Sequence, residues 1–409
     1  MEKPKIRAVE AFPIEQQEQT LICLRDPSGL APEPVMLGMG AYFLVGLFDG
    51  ANDLRDIQAA FTQRFGDILP LDNLKELIET LDRAYLLDSP AFAERERSIR
   101  AAFLKSPNRP AALAGLCYEA DPVLLRAELA AFYDPPAGPG RARSKRASGK
   151  LAGLIAPHID PRRGGPAYAH AYGELSAHQP PELVVILGTS HSCVGPELFT
   201  ATRKDYATPL GDVETDRDFI KRLSARYQGG DLFAGEILHR NEHSIEFQAL
   251  FLAWTLGVRG YQIVPILLGS FHQMVMAGER PSADPRVASF IDALRATLAD
   301  DQRNALIVAG VDFAHVGRKF GDAQAVDEEF AERVRREDHA LIEYIKRGDP
   351  DGFFGDVAKD RDARRICGLA PMYTQLELLR GRTGRLLKYD IAMEPDTGSA
   401  VSFASLAID

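Results

Sequence analysis

With 409 residues the chain is too long for one ordinary core, so two domains, one large and one small, are expected. Its 48 basic against 58 acidic residues leave a formal charge of -10, which opposes general binding to nucleic acid or to an anionic membrane. The hydrophobic fraction of 45% and charged fraction of 26% fit a soluble globular protein, and no apolar run is long enough to span a bilayer. The N-terminus MEKPKIRAVE does not read as a signal peptide. Cys23, Cys117, Cys193 and Cys367 show no paired spacing, which points to a reduced, cytoplasmic setting.

Residues 1–110 read as a small α-rich module. Met36–Phe48 is an apolar stretch ended by the turn signal Asp49-Gly50. Asp53–Phe65 then places Leu54, Ile57, Phe61 and Phe65 at helical spacing, and Leu71, Leu74, Leu77, Ile78, Leu81 and Tyr85 form a second amphipathic stripe. Phe92–Leu104 reads as a third, polar helix. The pieces Leu47-Phe48-Asp49-Gly50, Phe65-Gly66 and Leu86-Leu87 resemble the pattern of PqqD-like winged-helix domains over about Ile22–Ser89. A winged helix suggests DNA binding, but residues 1–110 carry 13 Lys/Arg against 17 Asp/Glu, so that resemblance points to peptide or protein recognition, or to a structural appendage.

Residues 111–409 read as one α/β domain. Asp121-Pro122 opens a helix running to about Tyr133, with an N-cap residue followed by Pro at the first helical position. The stretch 134–150 is rich in Pro, Gly and Ser, carries five basic residues and reads as a flexible loop. Beyond it, strands alternate with helices: strands at Leu151–His158, Leu183–His191, Gln262–Leu268, Leu306–His315 and Arg385–Met393, and helices at Pro166–Ala177, Thr215–Arg226, Ser244–Trp254, Pro285–Leu298, Ala323–Gly348 and Pro371–Leu379. This pattern predicts a central, mostly parallel sheet flanked by helices.

Three of those strands share one grammar. LAGLIAPH, LVVILGTSH and LIVAGVDFAH are apolar runs that lead into turns carrying His158, His191, Asp312 and His315. In an open parallel sheet, side chains just past neighbouring carboxyl ends converge in one crevice, so these four are expected to face one another. Neutral imidazoles suit Fe, Zn, Cu and Ni, and two of them with one anion make an open catalytic site. Asp312 and His315 would share the crevice if a helical turn began at Asp312, and His315 has the pKa range of a general acid/base; the plainer reading is an N-capping Asp beside a hydrogen-bonded His. Glu242 and His243 open an otherwise apolar helix, where they either support the site or complement the helix dipole. Cys367, near Arg365 and the start of a helix, is expected to have a lowered pKa and to serve as ligand or nucleophile, against the alternative of inert packing.

Together these strings resemble the Memo family, also called AmmeMemoRadiSam system protein B. The match begins at Ala114–Pro122 (AGLCYEADP) and runs through Ala156-Pro157-His158, Leu187–His191, Glu242–Gln248 (EHSIEFQ), Val264-Pro265-Ile266, Asp312–Gly317 (DFAHVG) and Cys367-Gly368. The resemblance implies a fold similar to class III extradiol dioxygenases, which are non-haem iron enzymes. It implies His158, His191 and Cys367 as metal ligands with Asp312 and His315 close by, iron as the metal with copper or zinc as alternatives, and a radical SAM enzyme as one partner. Two segments depart from the family pattern: Ile159–Gly165 (IDPRRGG) after the first His, and Ile391–Gly398 (IAMEPDTG) near the C-terminus. Asp160, Arg162 and Arg163 are thereby expected at the mouth of the pocket, and the arginines could favour an anionic substrate or a peptide carboxylate.

Three functions compete. A metal-dependent oxidoreductase acting on a small molecule or peptide would use open metal positions with His315 moving a proton, although an oxidisable thiolate ligand argues against transferring ordinary catechol cleavage to this chain. A binding protein would hold a metal or peptide in the crevice and recruit its partner through the N-terminal module. A zinc-type hydrolase would use the same ligands with water in the fourth position and His315 or Glu242 as base.

Overall fold

The computed structural model describes residues 1–16, 19–26, 28–140, 149–192 and 195–409, which form two compact units, Met1–Lys105 and Ser106–Asp409. Most of the basic stretch within 134–150, and Cys193, lie outside the described residues. Cys23, Cys117 and Cys367 are free thiols. No helix among the described residues is long and apolar enough to cross a membrane.

The first unit begins with an antiparallel sheet ordered β1 (Glu10–Gln16), β2 (Gln19–Arg25), β3 (Val35–Leu37). Helices α1 (Met39–Val45), α2 (Leu54–Phe65), α3 (Leu71–Arg83) and α4 (Pro90–Lys105) follow. Asp53 caps α2 in a capping box with Asp56, and Gly66 ends it at φ 78°. The predicted stripe on α3 is the one that is buried, through Leu74, Ile78 and Leu81. The sequence reading assigns no strand to the β1–β2 hairpin; β1 carries Pro13, which it tolerates as an edge strand.

In the second unit the elements are β4 (Asn108–Arg109), α5 (Pro122–Ala131), β5 (Gly153–Ala156), α6 (Pro161–Ser176), β6 (Leu183–Thr189), β7 (Phe199–Ala201), β8 (Asp205–Thr208) and β9 (Gly211–Val213). They continue with α7 (Arg217–Arg226), α8 (His243–Leu256), β10 (Gln262–Leu268), α9 (His272–Ala277), α10 (Pro285–Ala299), β11 (Ala305–Gly310) and β12 (His315–Gly317). Finally come α11 (Glu328–Lys346), α12 (Pro350–Lys359), α13 (Leu369–Leu378), β13 (Gly384–Glu394) and β14 (Ser399–Ile408).

The large sheet is ordered β12-β14-β5-β11-β6-β10-β7, with β13 on the other edge of β14. It is mixed rather than mostly parallel. Only β5, β11, β6 and β10 run parallel to one another, while the C-terminal hairpin β13–β14, β12 and β7 all pair antiparallel. A short turn forces the hairpin partners antiparallel, and β14 then docks antiparallel on β5. Alternate residues of the parallel strands feed two cores. Leu154, Val184, Ile186 and Val308 pack with α6 and α8, whereas Ile155, Val185, Leu187 and Ile307 pack with the residues of α7, α10, α12 and α13.

Register sets the site. Ala156, Gly310 and Gly188 lie in one row across β5, β11 and β6, so the chains leave the sheet side by side. A Cβ at Gly188 would come within 2.6 Å of Ser244 Oγ, and one at Gly310 within 2.4 Å of the Ser244 carbonyl. Glycine at both positions therefore lets the first turn of α8 lie directly against the strand ends.

Candidate metal centre

Two residues beyond that row stand His158 and Asp312, and three beyond it stands His191. The His158 Nδ1 lies 3.0 Å from the Gly310 carbonyl. A carbonyl only accepts, so the ring proton sits on Nδ1 and Nε2 is bare, 3.2 Å from Cys367 Sγ. The His158 backbone N–H donates to Asp312 Oδ1 at 3.0 Å, and Gln248 Nε2 donates to the Pro157 carbonyl at 2.9 Å.

Glu242 sets His191 in the same way. Its carboxylate oxygens lie 3.0 and 3.1 Å from His191 Nδ1, and it accepts the His191 backbone N–H at 2.8 Å. It also caps α8, accepting the Ser244 N–H at 3.0 Å, and sits 3.2 Å from His243 Nδ1. Glu242 thus caps α8 and engages His191 at once, because helix capping is what points it at that ring. The His191 and His243 rings stack at 4.6 Å between centroids, and each meets His158 edge-on at about 5 Å.

Cys367 arrives on a tight loop in which Arg361, Asp362 and Arg365 take positive φ of 59°, 54° and 52°. Left-handed backbone at non-glycine residues costs about 1–3 kcal/mol each and persists only where contacts over-determine it. Here Asp362 accepts the Ile366 N–H at 2.8 Å, Thr189 Oγ1 donates to the Cys367 carbonyl at 3.1 Å, and the Gly368 N–H donates to the Asp312 carbonyl at 3.2 Å.

The outcome is a cluster in which one ligand atom each of His158, His191 and Cys367 lie within 4.8 Å of one another. His191, Glu242 and His243 form a second such group sharing His191. A cleft of about 350 Å³ opens beside His191 and Cys367, lined also by Ser190, Phe271, His272 and Ile366.

Burial governs the charges. It pushes the Asp312 carboxyl up to about 7, and lowers His243 and His315 to about 4. His158 is held well below its ordinary value by burial, with the neighbouring His191 and His243 adding to it. For Glu242, burial acts upward, but His191 and His243 outweigh it and keep the carboxylate ionised. His191 is raised correspondingly, with Glu242 overcoming burial.

Several expectations are corrected. No helical turn begins at Asp312: residues 311–314 are irregular and His315 starts β12, with Asp312 accepting backbone hydrogen from His158 instead of capping a helix. His315 Nδ1 lies 3.2 Å from the Phe313 carbonyl and the ring packs edge-on against Phe320; among the described residues no hydrogen bond joins it to His158, His191 or Cys367. The Cys367 thiol is raised, not lowered, because burial and Asp312 outweigh His191. Its neighbouring arginines are committed elsewhere, Arg364 to Asp338 at 2.8 Å and Arg365 to Asp322 at 2.7 Å. Arg162 does not stand free at the mouth: it donates to the Leu116 carbonyl at 2.8 Å and pairs with Glu128. Asp160 caps α6. Sequence reasoning assigned no role to Gly310, Thr189 or Gln248, whose contacts to the site run through backbone carbonyls and leave no pattern of residue types to find.

Residues 109–407 match the family described as Memo-like protein. A MEMO1 family protein of Aquifex aeolicus is 29% identical over 407 residues, spanning 99% of both chains and therefore both units. One from Methanopyrus kandleri is 31% identical over 307 residues, 73% of this chain and 98% of that protein. Another from Thermus thermophilus is 28% identical over 355 residues, covering 87% and 98%.

Proposed function

This chain belongs to the Memo-like protein family, and on that footing we propose that it is a metal-dependent redox protein whose ion is held by His158, His191 and Cys367. The observation that carries the reading is the engagement of both Nδ1 atoms. With Gly310 and Glu242 occupying them, both Nε2 atoms are left facing the centre beside the Cys367 sulfur, and an ion bound there would displace the proton that Glu242 favours on His191. The donor set fits: nitrogen and sulfur bound tetrahedrally to one ion would sit about 3.5 Å apart, close to the 3.2 Å between His158 Nε2 and Cys367 Sγ. Iron is the metal proposed, with copper or zinc as alternatives. Bound iron or copper would supply one-electron chemistry and open positions for substrate or dioxygen, in the manner of a dioxygenase-like centre.

The chain's own residues supply the rest. Asp312, with its carboxyl near neutrality and Oδ2 3.7 Å from His158 Nε2, can hold or release a proton beside the centre. His315 stands at the periphery with its Nδ1 on the Phe313 carbonyl; burial keeps it neutral near pH 7, so it would accept a proton only transiently, as a weak base. The cleft beside Cys367 receives a small molecule or peptide. We also propose that the N-terminal unit is PqqD-like and recognises a peptide or protein. Its excess of acid and the exposed Met39, Ile68 and Phe65 support this.

Anaerobic loading with ferrous iron followed by oxygen-electrode measurement tests the redox reading. Uptake in the presence of candidate phenols or thiols is expected for the wild type and not for His191→Ala. Full iron loading without uptake would leave a binding role only.

A further inference from the structure

The two segments that depart from the family pattern meet in space. Arg163, in the first turn of α6, donates from Nη1 to Glu394 Oε1 at 2.6 Å, and Glu394 ends β13. Lys319, in the turn after β12, donates from Nζ to Glu394 Oε2 at 3.1 Å.

Strand register places this trio beside the site. His315, Val401 and Ala392 form one row across β12, β14 and β13, and Gly317, Ser399 and Glu394 form the next. Opposed residues share a face, as do residues two apart along a strand, so Glu394 and His315 project from the same face. Their Cα atoms are separated by two strand spacings and one two-residue repeat, roughly 10 Å across and 7 Å along. Ile159, Ala167, Val401 and Phe403 pack together on that face, with Phe320 and Ala392 against them. The part-exposed Phe320 and Ala392, resting on that buried cluster, thus lie between His315 and the charged trio.

The trio is not balanced. Two cations share one carboxylate, leaving one positive charge on a chain whose formal net charge is -10. Glu394 is inward, at 15% side-chain exposure, while Arg163 and Lys319 remain 35% and 45% exposed. Among the described residues Arg163 otherwise gives only a long 3.4 Å contact to the Ala392 carbonyl, so guanidinium donors are left facing outward. Arg162 next to it shows the contrast, being spent on Leu116, Glu119 and Glu128.

We propose that Arg163 and Lys319 recognise a carboxylate at the far end of an acidic substrate whose other end reaches His315 and the His158/His191/Cys367 centre. Glu394 holds the two cations in place and, as a like charge, sets the affinity for the incoming acid. Only the position of the reacting end rests on the metal-centre reading; recognition of the acid does not.

Calorimetric titration of the full chain at low salt with adipate, and with trialanine bearing a free or an amidated C-terminus, tests this. Either adipate or the free-acid peptide should bind, the amidated peptide should not, and which of the two binds identifies the source as a small diacid or a peptide terminus. Arg163→Ala and Lys319→Ala should each weaken binding about tenfold or more, as expected for loss of a charge-assisted hydrogen bond, and Glu394→Gln should tighten it. Arg163→Lys, which keeps the charge and loses the fork, separates recognition from a folding defect, as does an unchanged thermal midpoint. His191→Ala should lose metal and keep acid binding, which separates this proposal from the metal reading. Absence of binding to both wild type and Glu394→Gln at millimolar acid, or binding unaffected by Arg163→Ala and Lys319→Ala, would overturn the proposal.

Discussion

Replacing Glu246 by alanine is expected to cost about 3–5 kcal/mol of folding stability, the range for stranding a buried charge by removing its partner. Glu246 is fully buried within α8. It accepts hydrogen bonds from Arg109, from the Tyr118 hydroxyl, from the Leu113 N–H at 2.9 Å and from the Ala112 N–H at 3.2 Å. Arg109, also fully buried, has its other donors on the carbonyls of Pro110 and His239 at 2.8 Å and of Glu242 at 2.7 Å. Without Glu246 the guanidinium keeps those carbonyls and loses its counter-charge. The urea midpoint should fall with its slope unchanged. A double replacement, Arg109→Met with Glu246→Leu, should recover only part of the loss, because the Tyr118 hydroxyl and two backbone donors stay unpaired. A Glu246→Ala loss below about 1 kcal/mol would mean the network is hydrated rather than buried.

Glu242→Gln should weaken metal binding about 10–100-fold while leaving the chain folded, the usual consequence of removing a partner that orients a metal-ligating histidine. The carboxylate takes both the ring and backbone hydrogens of His191 and the Ser244 N–H. An amide has one accepting oxygen and would turn a donor toward a ring nitrogen that already carries hydrogen. His191 would then lose its tautomeric preference, and with it an Nε2 committed to the centre. Helix capping survives in part, since a side-chain oxygen remains for Ser244. Competition against a chelator of known affinity reads the effect. Equal affinity in Glu242→Gln and wild type would show that Glu242 is only a helix cap.

The centre was legible in sequence to the extent that it depends on strand ends. Apolar runs followed by His158 and His191 signal parallel strands opening into a crevice, and register delivers both there, with Asp312 between them. Residue type at α8 was equally informative, since an acid at the start of an apolar helix needs a partner and Glu242 finds His191. What stayed hidden was decided by long-range contacts. β14 escaped notice because Ser399, Ser402 and Ser405 interrupt its apolar pattern, yet each is buried and hydrogen-bonded; Ser402 Oγ donates to Asp338 at 2.5 Å and Ser405 Oγ to the Ala167 carbonyl at 2.6 Å. Overlooking it made the sheet read as mostly parallel. The Cys367 thiol was misjudged for the same reason: Arg364 and Arg365 adjoin it in sequence, but Asp338 and Asp322 claim them. Arg163 was placed at the pocket mouth without its partner Glu394, which lies 231 residues away.

Elemental analysis of anaerobically purified wild type beside Cys367→Ala tests the metal centre most directly. Near-stoichiometric iron or copper is expected in the wild type and should be lost in the variant, whose fold should persist because the loop is held by Asp362, Thr189 and Gly368 rather than by the thiol. Metal-free protein in both, after reconstitution attempts with iron, copper and zinc, would contradict it.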